Sequence, residues 1–443
     1  MDRIPPPRRP RVCAGWSMLF ILLLASRTPA EETNGTSAVP ETGTSCVALV
    51  SLDQLMRSFI RDNGLPGAAL AVAQEGRLVY ARGFGYADAE RTERVQPDSL
   101  FRIASISKPI TAVAVLQLVD QGKLHLDDRV SDLLPPLPGP ATASCRDPRW
   151  HDVTVRHLLQ HRGGWDREFS QDPMFRSTEI AARLGIPSPP GPRDIIRFMV
   201  DQHLDFDPGA RYAYSNFGYC LLGRVIEHVS GTDYETHVRT RLLAPLGIDR
   251  MRIGRTTPAG RADGEVGYID PTAQTGPSVV EAAGGSTTVP GPYGTWCLEA
   301  MDAHGGWIAS AIDLVRFASR IQDPAPHGLL SLPSYTAMTA RPPGAAGVDD
   351  DNSPRPHYYG LGWSVRPAGS AGRHNLWHAG GFAGSSTLLV IRHDRFCWAV
   401  LFNTSATVDG ATPADKIDSL VHQAVDAVPT WPADDQFPQW LGR

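Results

Sequence analysis

Ser105 and Lys108 stand three residues apart in Phe101-Arg-Ile-Ala-Ser-Ile-Ser-Lys-Pro. Positions i and i+3 share a helix face, so a hydroxyl and an amine at this spacing come within reach of each other. An amine that loses its proton on burial can take the proton of a hydroxyl and leave the oxygen nucleophilic. Arginine stays charged and cannot. The use of lysine is therefore pointed, since 39 of the 42 basic residues are arginines and only Lys108, Lys123 and Lys416 are lysines. No other serine has a lysine three residues on. An N-cap serine beside a surface lysine is the plainer explanation of the same pair.

Two further stretches carry chemical groups. Ala213-Tyr-Ser-Asn-Phe-Gly218 holds the chain's one Tyr-x-Asn. Tyr214 becomes an acid/base if a neighbouring cation lowers its pKa, and Asn216 can hold the lysine or a substrate carbonyl. The alternative is a tyrosine packed at a helix start with Ser215 or Asn216 as the cap. Trp377-His-Ala-Gly-Gly381 precedes an apolar run, Ser385 to Ile391. Glycines at a strand edge let a substrate approach the backbone and offer N–H groups to an oxyanion. A turn entering a strand explains those residues without chemistry. His157 and His161, at i and i+4, could share a metal; no glutamate adjoins them, and a structural role is the expectation. His304 is expected on a cleft wall, and Trp363 and Trp377 near the site.

Elements must bring these stretches together. Val47 to Ile60 has helical spacing, and Gly67 to Tyr86 reads as a hairpin turned at Glu75-Gly76. A helix is expected from about Ser105 to Gly122. From about 123 to 320 the pattern is mostly helical, clearest at 153–160, 192–203, 215–230, 234–243 and 310–321. Long Pro/Gly-rich loops near 134–150 and 255–300 read as walls of a cleft. Strand patterns return at 362–365, 386–391 and 396–402, and a last helix spans about 414–428. This order suggests one antiparallel sheet whose halves flank an inserted helical region.

Composition excludes some classes. A formal net charge of −5 without basic blocks beyond Arg8-Arg9-Pro10-Arg11 gives no reason to expect nucleic acid. No phosphate loop, dinucleotide fingerprint or Cys-x-x-Cys metal cage is present, so no cofactor or metal is expected. Residues 1–30 read as a secretory signal: a basic start, an apolar core too short to span a bilayer, and a small-residue end at Ala30. An uncleaved anchor is the alternative; otherwise no transmembrane segment is expected. Residues 31–46 read as a flexible spacer, 47–428 as the folded domain and 429–443 as a tail. Five cysteines remain after cleavage; Cys220 and Cys397 read as buried, and Cys145 and Cys297 could pair. Asn34-Gly-Thr and Asn403-Thr-Ser are glycosylation sequons.

In this chain order the three motifs resemble those of the serine β-lactamase and penicillin-binding protein superfamily, in particular class C β-lactamases and their esterase and D-peptidase relatives. That family carries Ser-x-x-Lys at a helix start, Tyr-x-Asn on a loop of a helical subdomain, and Lys-Thr-Gly or His-x-Gly on a central strand. Leu158-Leu-Gln-His-Arg-Gly-Gly164, Pro245-Leu-Gly247, Gly305-Gly-Trp-Ile-Ala-Ser-Ala-Ile-Asp313 and Tyr359-Gly-Leu-Gly-Trp363 look like its lesser landmarks. The resemblance covers roughly 47–425. It implies an α/β (α+β) fold: an antiparallel sheet flanked by N- and C-terminal helices, an inserted all-helical subdomain, and a site between them.

The resemblance also assigns roles. Ser105 would be the nucleophile of an acyl-enzyme, Lys108 its activating partner and Tyr214 the acid/base serving the leaving group. Asn216 would support, the N–H groups of Ser105 and Gly381 would hold the oxyanion, and Gly380 and His378 would border the substrate. Whether Lys108 or Tyr214 takes the serine proton stays open. Bringing a lysine from ~10.4 to ~7 requires about 4–5 kcal/mol of differential interaction. His378 stands where β-lactamases carry a lysine, and a mostly neutral imidazole is a weaker carboxylate anchor. The expected function is an exported serine hydrolase acting on a small ester or a D-amino-acid peptide or amide. The alternatives are a true β-lactamase, a D,D-carboxypeptidase, or a slowly deacylating penicillin sensor. Oligomeric state is not legible.

Overall fold

The computed structural model describes residues 38–134, 146–280, 287–321, 328–349, 353–369 and 372–441. An eight-stranded antiparallel sheet organises them: β1 Glu41–Thr42, β2 Gly67–Gln74, β3 Arg77–Gly85, β4 Tyr358–Tyr359, β5 Ser364–Pro367, β6 His374–Phe382, β7 Ser385–Ile391 and β8 Phe396–Phe402, in the spatial order β1-β3-β2-β8-β7-β6-β5-β4. The N-terminal hairpin and the C-terminal strands thus meet edge to edge, Ala71 facing Ala399 across β2 and β8.

Both faces of the sheet are covered, which is why β8 and most of β2 read as unbroken apolar runs, as does β7 from Leu388 to Ile391. On one face Leu70, Val72, Leu388, Val390 and Trp398 pack with α1, Val50–Asp62, and with a C-terminal helix, Pro413–Asp426. On the other, Ala69, Ala71, Ala73 and Ala399 leave room for the helix Ala311–Ser319 to approach closely. That helix was expected inside the helical region near 123–320. Its contacts place it on the sheet, because helical periodicity reports a buried face and not the layer that buries it.

The helix behind the site, α2, spans Ser107–Asp120 and is buried nearly all round. It has no polar face, as expected of a helix enclosed by protein. Another, α3, spans Asn216–Ser230 and packs against it. A small sheet of Phe101–Arg102, Trp307–Ala309 and Arg252–Ile253 leads into the turn before α2.

Several sequence expectations need correction. Glu41–Thr42 fall inside the expected flexible spacer, yet they add an edge strand to β3, and Glu41 ion-pairs with Arg57 and Arg82. The 374–382 stretch is a nine-residue strand inside the sheet and not a turn entering one. Its glycines hid it from a propensity reading. Trp363 is fully buried core. Asn403 is also fully buried, its amide donating to the carbonyls of Tyr86 and Gly267 at 3.1 Å, so this sequon is closed in the folded chain. Asn34, the expected signal and Cys145 lie outside the described residues. Cys297 carries a free, buried thiol, as do Cys220 and Cys397. Among the described residues no helix is long and apolar enough to cross a membrane.

Candidate functional site

Ser105 sits in a 3₁₀ turn, Ala104–Ile106, immediately before α2. Ala104 has φ +47°, a conformation an alanine rarely holds unless its surroundings impose it. The imposition is visible. Ile103 N–H donates to Trp307 O at 3.0 Å. From β7, Ser385 Oγ donates to Arg102 O at 2.6 Å and Thr387 Oγ1 to Ile103 O at 3.0 Å. The turn is thus pinned from both sides, and Ser105 stays partly exposed within a run of buried neighbours.

Lys108, in the first turn of α2, is fully buried. Its Nζ lies 3.0 Å from Ser105 Oγ, 2.7 Å from Asn216 Oδ1 and 2.9 Å from His304 O. Burial pushes its pKa well below the usual lysine range; the Asp172 carboxylate opposes this and the Arg167 guanidinium adds to it. A neutral amine fits this cage. In the neutral form two N–H groups would serve the two carbonyl oxygens, and the lone pair would face the Ser105 hydroxyl. A protonated amine would donate to all three and leave the serine proton without a partner here.

On the far side of Ser105, Tyr214 Oη donates to Oγ at 2.8 Å. Tyr214 precedes α3, whose N-cap is Ser215, the side chain accepting from Gly218 N–H. Burial raises the Tyr214 pKa, and the bond to Ser105 only partly offsets this. A lowering by a neighbouring cation, the condition set from the sequence for an acid/base role, does not occur, although Lys108 Nζ and Arg167 each lie 4.7 Å from the ring centre. Desolvation of a phenolate outweighs them. The resulting arrangement is a series, Tyr214 Oη to Ser105 Oγ at 2.8 Å and Ser105 Oγ to Lys108 Nζ at 3.0 Å, in which only a neutral amine would accept the serine proton.

Asn216 is oriented by Asp172, whose carboxylate accepts from its Nδ2 at 2.6 Å and leaves Oδ1 facing the lysine. Sequence reasoning did not single out Asp172. Asp172-Pro-Met reads only as an N-cap followed by proline, a role it does fill through Met174 N–H at 3.0 Å. Burial raises its pKa. His161 was expected to be structural, and its place is specific. Its ring lies 4.2 Å from that of Tyr214, its Nδ1 accepts from Ser215 N–H at 3.1 Å, and its carbonyl accepts from Ala213 N–H at 2.9 Å. It is buried and kept neutral. His157, by contrast, caps the helix Val155–Leu159, its Nδ1 accepting from Thr154 N–H.

The β6 strand closes the site. A Cβ on Gly380 would meet Ile103 O at 2.3 Å and Ser105 N at 3.1 Å, so only glycine lets this strand run beside the serine's N–H. Gly381 next to it is exposed, with open space where a side chain would be. His378 is buried; its Nε2 pairs with Tyr359 Oη at 2.9 Å and its Nδ1 with Ala379 O at 2.7 Å. Burial, helped by Lys108, lowers its pKa to about 3, so the ring is neutral. Trp377 lies on the other face of the strand, packed toward the sheet's second layer and 6.2 Å from His357.

Comparison with known proteins agrees with this geometry. The family model described as Beta-lactamase matches residues 52–422. Penicillin-binding protein 4 of Amycolatopsis lactamdurans is 31% identical over 314 residues, covering 69% of this chain and 72% of that protein. Esterase EstB of Burkholderia gladioli is 34% identical over 202 residues, covering 44% of this chain and 49% of the esterase. The solved D-amino acid amidase of Ochrobactrum anthropi SV3 superposes with a TM-score of 0.63 at 22% identity, covering 86% of this chain and 99% of the amidase, and so shares the fold. With the match running through nearly the whole folded region, the chain belongs to the Beta-lactamase family and is a serine hydrolase of that fold.

Proposed function

We propose that this hydrolase works through an acyl-enzyme on Ser105 and cleaves small esters or amides of D-amino acids. The observation that carries the reading is the position of Ser105 Oγ, 3.0 Å from Lys108 Nζ and 2.8 Å from Tyr214 Oη. Lys108 Nζ takes the proton of Ser105 as Oγ bonds to the substrate carbonyl carbon. The charge that develops on the carbonyl oxygen is met by the N–H groups of Ser105 and Gly381. As the bond to the leaving group breaks, Tyr214 gives up its proton to it and regains one from Lys108. The net result is transfer of the serine proton to the leaving group. Water then attacks the acyl carbon with the same groups in reverse order.

His378 supports a preference for substrates without a carboxylate at that strand, because both ring nitrogens are occupied and the ring is uncharged. The similarity to an esterase and to the fold of a D-amino acid amidase points the same way. A second reading, slow deacylation after attack on penicillin, is favoured by the 31% identity to a penicillin-binding protein. The apolar run after Arg8-Arg9-Pro10-Arg11 supports export.

Purified protein is expected to hydrolyse p-nitrophenyl acetate, and Ser105→Ala to abolish this and the labelling of Ser105 by a fluorophosphonate. Undiminished hydrolysis by Ser105→Ala would sink the assignment. A long-lived penicillin adduct on Ser105, with no ester turnover, would favour the second reading.

A further inference from the structure

The two sides of Ser105 are chemically different. On one stands Tyr214, whose ring is backed by His161 and beyond it Tyr359, 4.5 Å from His161 between ring centres. On the other stand Lys108 and its carbonyl partners, Asn216 Oδ1 and His304 O. Two aromatic residues converge on this second side. Phe175 ends the short turn that Asp172 caps, and Asp172 holds Asn216. Phe382 ends β6, two residues after Gly380. Their ring centres lie 6.4 Å apart at 63°, an edge-to-face contact.

Trp296 stacks on Phe382 at 4.5 Å and 27°. Gly305 makes room for the Phe382 ring, since a Cβ there would lie 2.8 Å from its Cζ. The ring therefore rests beside His304, whose carbonyl holds Lys108. Trp296 is buried, whereas Phe175 is 44% exposed and lies in the segment that also carries Asp172. Three aromatic rings in contact thus cross from the helical wall to the sheet wall, and one end of the row is left open to solvent.

If Tyr214 protonates the leaving group, the leaving group departs on the tyrosine side and the acyl chain points to the other. We propose that the row Phe175, Phe382 and Trp296 is the acyl-side subsite, and that it takes acyl groups carrying an aromatic ring. A flat ring completes the row by edge or offset contact and covers the exposed face of Phe175, which an alkyl chain of equal size covers less well. This inference rests on the acyl-enzyme reading above.

The test uses p-nitrophenyl phenylacetate and p-nitrophenyl hexanoate, which share a leaving group and differ in the acyl part. In the full chain the ratio of kcat/KM for phenylacetate over hexanoate is expected to exceed about tenfold. Phe382→Ala and Phe175→Ala should each lower that ratio by about tenfold, equivalent to about 1.4 kcal/mol. Phe175 is on the surface, so its variant keeps the test decisive if Phe382→Ala fails to fold. An unchanged ratio in Phe175→Ala, or a wild-type preference for hexanoate, overturns the subsite. So does an aromatic preference that follows the alcohol, read with benzyl and hexyl acetates, whose alcohols are similar as leaving groups. Ser105→Ala separates the two claims. Ester hydrolysis that survives in it removes the acyl-enzyme reading itself, whereas Ser105-dependent hydrolysis without ring preference removes the subsite alone.

Discussion

Replacing Asp172 with asparagine should move the acid limb of the kcat/KM profile to lower pH. The Asp172 carboxylate is the nearby charge that favours the protonated form of Lys108, against burial and Arg167. The two are joined through Asn216, with links of 2.7 Å and 2.6 Å at its ends. Across a relay of that length, ~7 Å, and at an effective dielectric constant near 20, a unit pair is worth on the order of 2 kcal/mol, or one to two pH units. On the proposed acyl-enzyme reading activity requires the neutral amine, so it is present above the Lys108 pKa and lost as pH falls through it. Removing the carboxylate lowers that pKa, and the limb follows it down. An asparagine oxygen can still accept from Asn216 Nδ2, now without charge assistance, a loss of about 1 kcal/mol that should cost the plateau roughly fivefold. The measurement is kcat/KM for p-nitrophenyl acetate across the pH range in which the protein stays folded by circular dichroism. A limb that stays in place or moves to higher pH would show that Asp172 does not act on the proton of Lys108.

Tyr214→Phe should lower kcat/KM by about 10²–10⁴ for ethyl acetate and by much less for p-nitrophenyl acetate, whose alcohol leaves without a proton; equal losses on the two esters would remove the proton-donor role. Gly380→Ala should lower Tm by several degrees, because its Cβ would meet backbone at 2.3 Å, whereas Gly381→Ala, with open space, should shift Tm by less than about 1 °C. Similar Tm values for the two variants would contradict the close approach of β6 to Ser105.

The sequence carried the local parts of this site better than its wiring. Ser105 and Lys108 are legible because a helix fixes what i and i+3 can do, and the β2–β3 hairpin is legible from two apolar stretches joined by a turn at Glu75-Gly76. Lys108, however, is held by atoms from residues 105, 216 and 304, and Asp172 adds a fourth segment. One of those atoms is a backbone carbonyl, which has no sequence signature at all. For a related reason the residue pattern left β6 open between a strand edge and a turn, and the resemblance alone put its motif on a central strand. Its glycines serve the contact with Ile103 and Ser105, and that tertiary demand overrides the β-propensity by which strands are recognised. The direction of the Tyr214 shift stayed open in the sequence because a list of neighbouring charges does not say how much water they share.

Burial ties the mechanism to its specificity. Enclosing Lys108 lowers its pKa well below the usual lysine range, the direction that the proposed base role needs. The same enclosure covers His378, and Lys108 pushes further in the same direction, which leaves the imidazole neutral and bonded to Tyr359. A lysine at 378 would have to keep its charge in this setting, close to a second amine, or lose it as Lys108 does. The cost of two buried cations beside one carboxylate is high, because each desolvated charge needs its own partner. Neutrality at 378 is therefore a consequence of how deeply the Ser105 turn and β6 are packed. Nearby positive charge is carried by Arg167, exposed over the ring of Tyr214 and ion-paired with Glu168 at 3.1 Å. An anionic substrate would meet its attraction there, in screened solvent, and not along the strand that borders the reacting carbonyl. On the proposed reading, the burial that would make Lys108 the base of Ser105 is also what would deny a β-lactam carboxylate a charged anchor at 378.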